Sequence, residues 1–326
     1  MRTMPVLALL PFFVPYCSVP PRTMPQGWSS GPTLPEAVQE MHGAVLHGRI
    51  YIAGGFHHGP GVSVTTYRLE PGAGGWRQVG NLPAPRHHMP LAVVGDSLYA
   101  VGGLSPSGPV ATLWLYDEAA DRWIERASLP EARGASAATA AGGRLILVGG
   151  MGDGAKLLDS IAIYDPTANR WHHGAPIPTP RDHLAAAQVG GRVYAIGGRP
   201  LDPDRNFNKL EIYDPMTDTW AGGAPMLSAR GGLAAAVLEG RIHTFGGETT
   251  RSVFEEHEVY DVGAGAWRSA PPLPTPRHGL AAATLDGRIY VIGGGPRAGL
   301  AQTYVVEVFN PGDCASSQCS ISSSGK

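Results

Sequence analysis

Residues 133–150 read Arg133-Gly134-Ala135-Ser136-Ala137-Ala138-Thr139-Ala140-Ala141-Gly142-Gly143-Arg144-Leu145-Ile146-Leu147-Val148-Gly149-Gly150. A run of small residues meets a Gly-Gly turn, and a short apolar run then stops at a second Gly pair. Short apolar runs bounded by glycine read as strands, and a two-residue glycine connection makes a hairpin. Equivalent turns occur as His47-Gly48, Gly95-Asp96, Gly190-Gly191, Glu239-Gly240 and Asp286-Gly287. An alanine-rich helix is excluded, because glycine interrupts each run within ten residues.

The closing Gly pair recurs at 54–55, 102–103, 149–150, 197–198, 246–247 and 293–294, at intervals of 47 to 49 residues. Trp28, Trp76, Trp123, Trp171, Trp220 and Trp267 keep the same step. Two independent markers on one long period indicate an array of one supersecondary unit. A third strand ends in Tyr116-Asp117, Tyr164-Asp165, Tyr213-Asp214 and Tyr260-Asp261, and a tryptophan opens a fourth strand seven residues after each tyrosine. Each unit is thus a four-stranded antiparallel meander. Radial stacking of such sheets buries both apolar faces and leaves only short edges, which predicts an all-β, six-bladed propeller. Small inner strands, as in Ala185-Ala186-Ala187 and Ala234-Ala235-Ala236, suit crowding about one axis.

These features resemble the kelch repeat: a Gly pair, a Tyr-Asp, a Trp, and a Pro-Arg before the next unit. Pro85-Arg86, Pro180-Arg181 and Pro276-Arg277 keep the last element, while Arg133 and Arg230 keep the arginine alone. The resemblance covers residues of about 26 to 310. The first unit departs from it with Tyr67-Arg68 and with Val38 at the arginine position, and the last with Phe309-Asn310. The sixth unit lacks its tryptophan and Trp28 is unclaimed, so residues near 27–30 are expected to supply the outermost strand of the last blade. Trp28 is then expected beside Phe309.

The expected organisation is a leader segment at 1–25, a propeller at 26–311 and a flexible tail at 312–326. The stretch Met1–Val14, with one basic residue and a short apolar core, reads as a secretory signal and is too short to span a bilayer. Pro5, Pro11 and Pro15 interrupt that core, so a secreted or periplasmic location stands beside a cytoplasmic alternative. Cys17 as a lipid anchor is disfavoured by the bulky Pro15-Tyr16 before it. Cys314 and Cys319 are either a small disulfide or two free thiols. The formal net charge of −2, with both signs interspersed, gives no electrostatic case for nucleic acid. A monomer is expected.

Loops on a rigid scaffold are the usual seat of function. The segments after the Gly pairs and those leading into the inner strands share one face, called here the Gly-Gly face. Directly after the pairs come Phe56-His57-His58, Leu104, Met151, Arg199, Glu248 and Gly295. Two residues beyond the leading arginine come His88, Ala135, His183, Gly232 and Gly279, matched by Glu40 in the first unit. His42 stands where four other units carry alanine. Candidate ligand-binding residues are therefore Glu40, His57, His58, Arg86, His88, Arg181, His183, Arg199, Glu248 and Arg277.

Neutral imidazoles near a carboxylate suit zinc, copper or iron, so His57, His58 and His88 are the candidate ligands for a divalent metal; the alternative is solvated polar loops and no cofactor. Arginines approaching the axis mouth would select carboxylates, phosphates or acidic peptides. Alternatively, an arginine repeated in five blades pairs with backbone carbonyls. The insertion 199–208 reads as a lid or a surface loop, and its Asp202, Asp204 and Asn206 lack the glycine and glutamate of a calcium loop.

The resemblance implies a scaffold that binds a protein, a peptide or a small polar or anionic ligand. Its alternative implication is a carbohydrate-processing enzyme, such as a sialic-acid mutarotase or a metal-dependent kelch enzyme, with Glu40 or Glu248 and His88 or His183 as acid and base. Galactose-oxidase chemistry is disfavoured, because its cofactor needs a cysteine at the site and none lies between Cys17 and Cys314. No nucleophile elbow, phosphate loop or zinc-protease motif is present.

Overall fold

The computed structural model describes residues 24–313, apart from 71 and 73. The expected leader, Cys17 and the tail with Cys314 and Cys319 fall outside the described residues, bar residues 24–25 and 312–313 at their edges. Six four-stranded antiparallel sheets are arranged as the blades of a propeller. The inner strands run His42–Leu46, Leu91–Val94, Ala137–Ala141, Ala185–Val189, Ala234–Leu238 and Ala281–Leu285. Blade three shows the repeating order: Ala137–Ala141, Arg144–Val148, Ile161–Asp165 and Arg170–Gly174.

The sixth blade is completed as expected. Trp28–Ser30 pairs antiparallel with Val306–Phe309, placing Trp28 opposite Phe309. Closure removes the free edge that a linear array would present. Across each of the six junctions between neighbouring blades lies one apolar cluster. Burial of such clusters between sheets, at about 25 cal/mol per Å², is the main force holding the ring.

The period of the tryptophans has a direct cause. Each indole Nε1 donates to a carbonyl of the preceding blade: Trp76 to Pro32, Trp123 to Gly80, Trp171 to Ala127, Trp220 to Ala175 and Trp267 to Ala224, at 2.7–3.0 Å. Trp28 does the same to Pro271 at 3.0 Å, so the closing strand uses the same clamp as the covalent neighbours.

The small inner strands line an axial channel. Its wide end, a cavity of about 340 Å³ bordered by Val93, Ala140, Gln188 and Val237, opens away from the Gly-Gly face. It narrows to about 80 Å³ beside His42 and then to about 20 Å³ beneath Glu40, His88 and His183. Three short hairpins not foreseen from the sequence follow the Gly pairs of blades one to three, as in Phe56–His57 with Gly61–Val62.

Candidate functional site

The narrow end of the channel is sealed by a ring of backbone hydrogen bonds. Glu40 N donates to Gly279 O (2.7 Å), His88 N to Glu40 O (2.9 Å), Ala135 N to His88 O (3.2 Å), His183 N to Ala135 O (2.9 Å), Gly232 N to His183 O (2.9 Å) and Gly279 N to Gly232 O (2.9 Å). One residue per blade contributes, and the circle closes. All six have positive φ, from 50° to 68°. Glycine takes that conformation freely, whereas a side chain there costs about 1–2 kcal/mol. Glu40, His88 and His183 accept the strain although glycine serves at the symmetric positions 232 and 279.

Each residue just before a ring position bridges to the residue after a Gly pair: Gln39 to Phe56, His87 to Leu104, Gly134 to Met151, Asp182 to Arg199, Gly231 to Glu248 and His278 to Gly295. This register carries chemistry from two loops of each blade to the axis. His88 Nε2 lies 3.0 Å from a Glu40 oxygen. The Nδ1 atoms of His87 and His88 face each other, and the His88 and His183 rings meet edge to face at 4.8 Å. His183 Nδ1 is 2.6 Å from Asp182 Oδ2, and Asp182 is 2 % exposed. Arg199 donates to Glu248 at 3.0 Å.

His278 sits between two carboxylates, with Nδ1 3.3 Å from an oxygen of Glu40 and of Glu248, and Nε2 3.0 Å from Gly299 O. Burial works against its charged form, yet the two carboxylates raise its pKa. Burial likewise opposes ionisation of Glu40, but the facing His88 and His278 hold its carboxyl well below the usual carboxylate range. Burial pushes His88 well below its ordinary value despite Glu40, and lowers His42 and His87 to about 4. At the axis mouth burial thus keeps His42, His87 and His88 neutral beside the Glu40 carboxylate, while His278 is shifted the other way.

The arginines correct the sequence reading. Arg133, Arg181, Arg230 and Arg277 are fully buried and do not reach the mouth. Arg277 donates to Gly293 O (2.7 Å), Val305 O (3.0 Å) and Glu307 (2.7 Å). Arg181 bonds to Gly197 O (2.6 Å), Ala195 O (3.0 Å) and Glu211. Arg230 faces Glu258 at 3.3 Å, and Glu258 also accepts from the backbone of Leu227 and Ser228. Arg181, Arg230 and Arg277 with their third-strand glutamates thus tie the loop between blades onto the sheet, and Arg133 does so through Ser160 O (2.7 Å) and Oγ (2.8 Å). Blade two carries Trp114 where these glutamates stand, and Arg86 lies 4.9 Å over its ring while donating to Pro85 O. Arg86, Arg181 and Arg277 serve as struts. Their positively charged groups are unavailable to a ligand, because the blade needs buried donors for carbonyls left free beyond the strand ends.

The histidine set proposed for a metal divides. His57 and His58 gather around Glu36, at 3.0 and 3.7 Å, with His58 exposed, whereas His88 belongs to Glu40 and His183. The insertion 199–208 rests on the next loop, where Asn206 Nδ2 donates to Glu248 O (2.7 Å) and Asp204 accepts from Thr250 N (2.9 Å) and Oγ1 (2.6 Å). Of the residues singled out in the sequence, the structure places Glu40 beside His88, His88 beside His183, and Arg199 beside Glu248. The sequence reading missed Asp182 and His278. Their signal is a position, immediately before the ring residue, that carries Gln39, His87, Gly134, Asp182, Gly231 and His278 in turn while its surroundings repeat.

The fold and this axial cluster define a closed six-bladed propeller carrying acid and imidazole groups at one end of its axis. The family model described as the KLHDC2/KLHL20/DRC7 Kelch-repeats domain matches residues 25–175, and the Kelch motif matches 180–227 and 276–319. The chain belongs to the kelch-repeat β-propeller family. It is 28 % identical to Beta-scruin of Limulus polyphemus over 131 residues, 38 % of this chain and 14 % of that protein. It is 34 % identical to Kelch-like protein 26 of Mus musculus over 113 residues, 33 % of this chain and 19 % of that protein. The matched stretch is thus less than a fifth of either relative's length. The solved structure of YjhT superposes with a TM-score of 0.74 at 17 % identity, covering 86 % of this chain and all of that one, a likeness of fold. Among the described residues, no helix is long and apolar enough to cross a membrane.

Proposed function

We propose that the protein is a binding propeller whose Gly-Gly face receives a protein or peptide partner. The supporting observation is the distribution of exposed apolar side chains. Of the six large ones exposed among the described residues, Leu201, Leu227, Leu300 and Tyr304 lie in segments that follow a Gly pair or lead into an inner strand; Met24 and Met216 do not. Contiguous exposed apolar surface rimmed by polar residues marks interaction sites, and the reading takes these four loop residues as contributors to one such surface. Burial of the repeated arginines weighs against a guanidinium-based anion site. The cavity of about 20 Å³ under the axial residues suits a water or an ion. Organic ligands ordinarily occupy roughly 300–1,000 Å³, and the cavity of that size, about 340 Å³, is lined by the inner strands away from the acid and imidazole groups, so a carbohydrate-processing role is the weaker reading.

The test is quantitative affinity purification from the source cells with the wild type, a Leu201→Glu/Leu300→Glu/Tyr304→Glu variant and a Met216→Glu variant. A partner retained by the first and third and lost by the second supports the assignment. Equal capture by all three would overturn it.

A further inference from the structure

Beyond whatever the face binds, the axis presents a donor set with the chemistry of a metal site. We propose that Glu40, His88 and His183 hold one divalent transition-metal ion of the zinc type, with Asp182 and His87 as outer partners of the two imidazoles.

The three residues come from three blades, and one donor atom of each lies within 4.8 Å of the others. Donors on tetrahedral zinc, with bonds of about 2.0–2.1 Å, stand roughly 3.4 Å apart, so a set within 4.8 Å must contract by about 1.4 Å at most. The ring of backbone hydrogen bonds beneath them sets their bases rigidly. The second observation is the partnering of the ring nitrogens. Asp182 takes Nδ1 of His183 at 2.6 Å, and His87 faces Nδ1 of His88. Metal-ligating histidines almost always commit their other nitrogen to a carboxylate or similar group, which fixes ring orientation and leaves Nε2 for the ion. Here the His88 Nε2 is already 3.0 Å from Glu40.

Space and selectivity agree. The adjoining cavity of about 20 Å³ exceeds the volume of one probe sphere, about 10–15 Å³, and is lined by these three residues. The Glu40 carboxylate fills the space above Gly279, while glycine at 232 and alanine at 135 carry no bulk that would exclude a fourth ligand from water or a partner. Two imidazoles and one carboxylate suit zinc, cobalt or nickel over magnesium or calcium.

Two other clusters are poorer. In the group of Glu40, Glu248 and His278, one imidazole stands against two carboxylates, and Glu248 is already held by Arg199 at 3.0 Å. In the group of Glu36, His57 and His58, the carboxylate already binds Tyr67 Oη at 2.9 Å, and His58 lies exposed.

The test is titration of untagged, chelator-treated full-length protein with Co²⁺, followed by visible absorption, and with Zn²⁺ by calorimetry. One ion per chain is expected, with ligand-field bands of imidazole and carboxylate ligation. His183→Ala and Glu40→Gln are each expected to weaken binding at least about tenfold, and Asp182→Asn by about 10–100-fold. A His57→Ala/His58→Ala variant should bind as the wild type does. The proposal is overturned by no binding to the wild type at millimolar metal, whatever the variants do. It is equally overturned by binding that survives both His183→Ala and Glu40→Gln, by loss in the His57→Ala/His58→Ala variant, or by thiolate charge-transfer bands pointing to the cysteines.

Discussion

Trp28 lies opposite Phe309 in the last sheet, their rings 5.2 Å apart, though 281 positions separate them in sequence. The contact joins the two ends of the described chain, and the Trp28 indole reaches on to Pro271 O in the fifth blade's outer loop. One side chain therefore packs against Phe245, His257 and Phe309 and holds the ring shut.

Trp28→Ala is expected to cost about 3–5 kcal/mol, the usual penalty for truncating a buried tryptophan. Thermal unfolding should move down by several degrees, and hydrogen exchange should rise first in Val306–Phe309. An unchanged melting temperature would show that closure does not depend on this residue.

Arg277→Ala should destabilise by about 3–5 kcal/mol, because it leaves Glu307 charged and buried and frees two carbonyls. Chemical denaturation measures this directly. A loss under 1 kcal/mol would return Arg277 to the list of surface groups.

Two ring glycines separate backbone strain from side-chain fit. A Cβ on Gly232 meets nothing nearer than 3.7 Å, whereas one on Gly279 would stand 2.3 Å from Glu40 Oε1. Gly232→Ala is expected to cost only the left-handed backbone term, about 1–2 kcal/mol. Gly279→Ala must in addition displace Glu40, so its melting temperature should be the lower. Equal values would mean that Glu40 does not depend on the space left by Gly279.

His243 and His257 form a buried pair beside the closing strand, 2.9 Å apart, with His257 Nδ1 donating to Pro271 O. Burial lowers His243 to about 3 and His257 well below its ordinary value. The unfolded chain, with histidine near 6.5, takes up protons that the native state refuses. Stability is thus full above about pH 6.5 and declines as pH falls from there towards 3, by about 1.4 kcal/mol per pH unit for each such group. Denaturation curves between pH 7 and 5 should show the fall, and His243→Phe should shrink it. A slope that ignores this substitution would place the acid sensitivity elsewhere, with His42 and His87 the next groups to test.

Number of blades, strand order, the small inner strands and the closure by Trp28 were all legible along the chain. They rest on local signals: a short apolar run for a strand, glycine at a turn, and a tryptophan at a constant step. Such signals are local and repeat six times, so noise in one blade is corrected by the others. The axial residues were visible as departures from that repeat, which is why Glu40, His88 and His183 could be named together.

The tertiary structure alone decided where the charged groups went. Arg181, Arg230 and Arg277 find Glu211, Glu258 and Glu307 some 28 to 30 residues later, and that pairing turns guanidinium groups inward that a linear reading turns towards solvent. His278 between Glu40 and Glu248 likewise depends on loops far apart in sequence meeting at one axis. The period of a repeat determines the shape of its unit. The direction of a loop side chain is set by which buried carbonyls and carboxylates need a partner, and that demand exists only once the blades have closed around it.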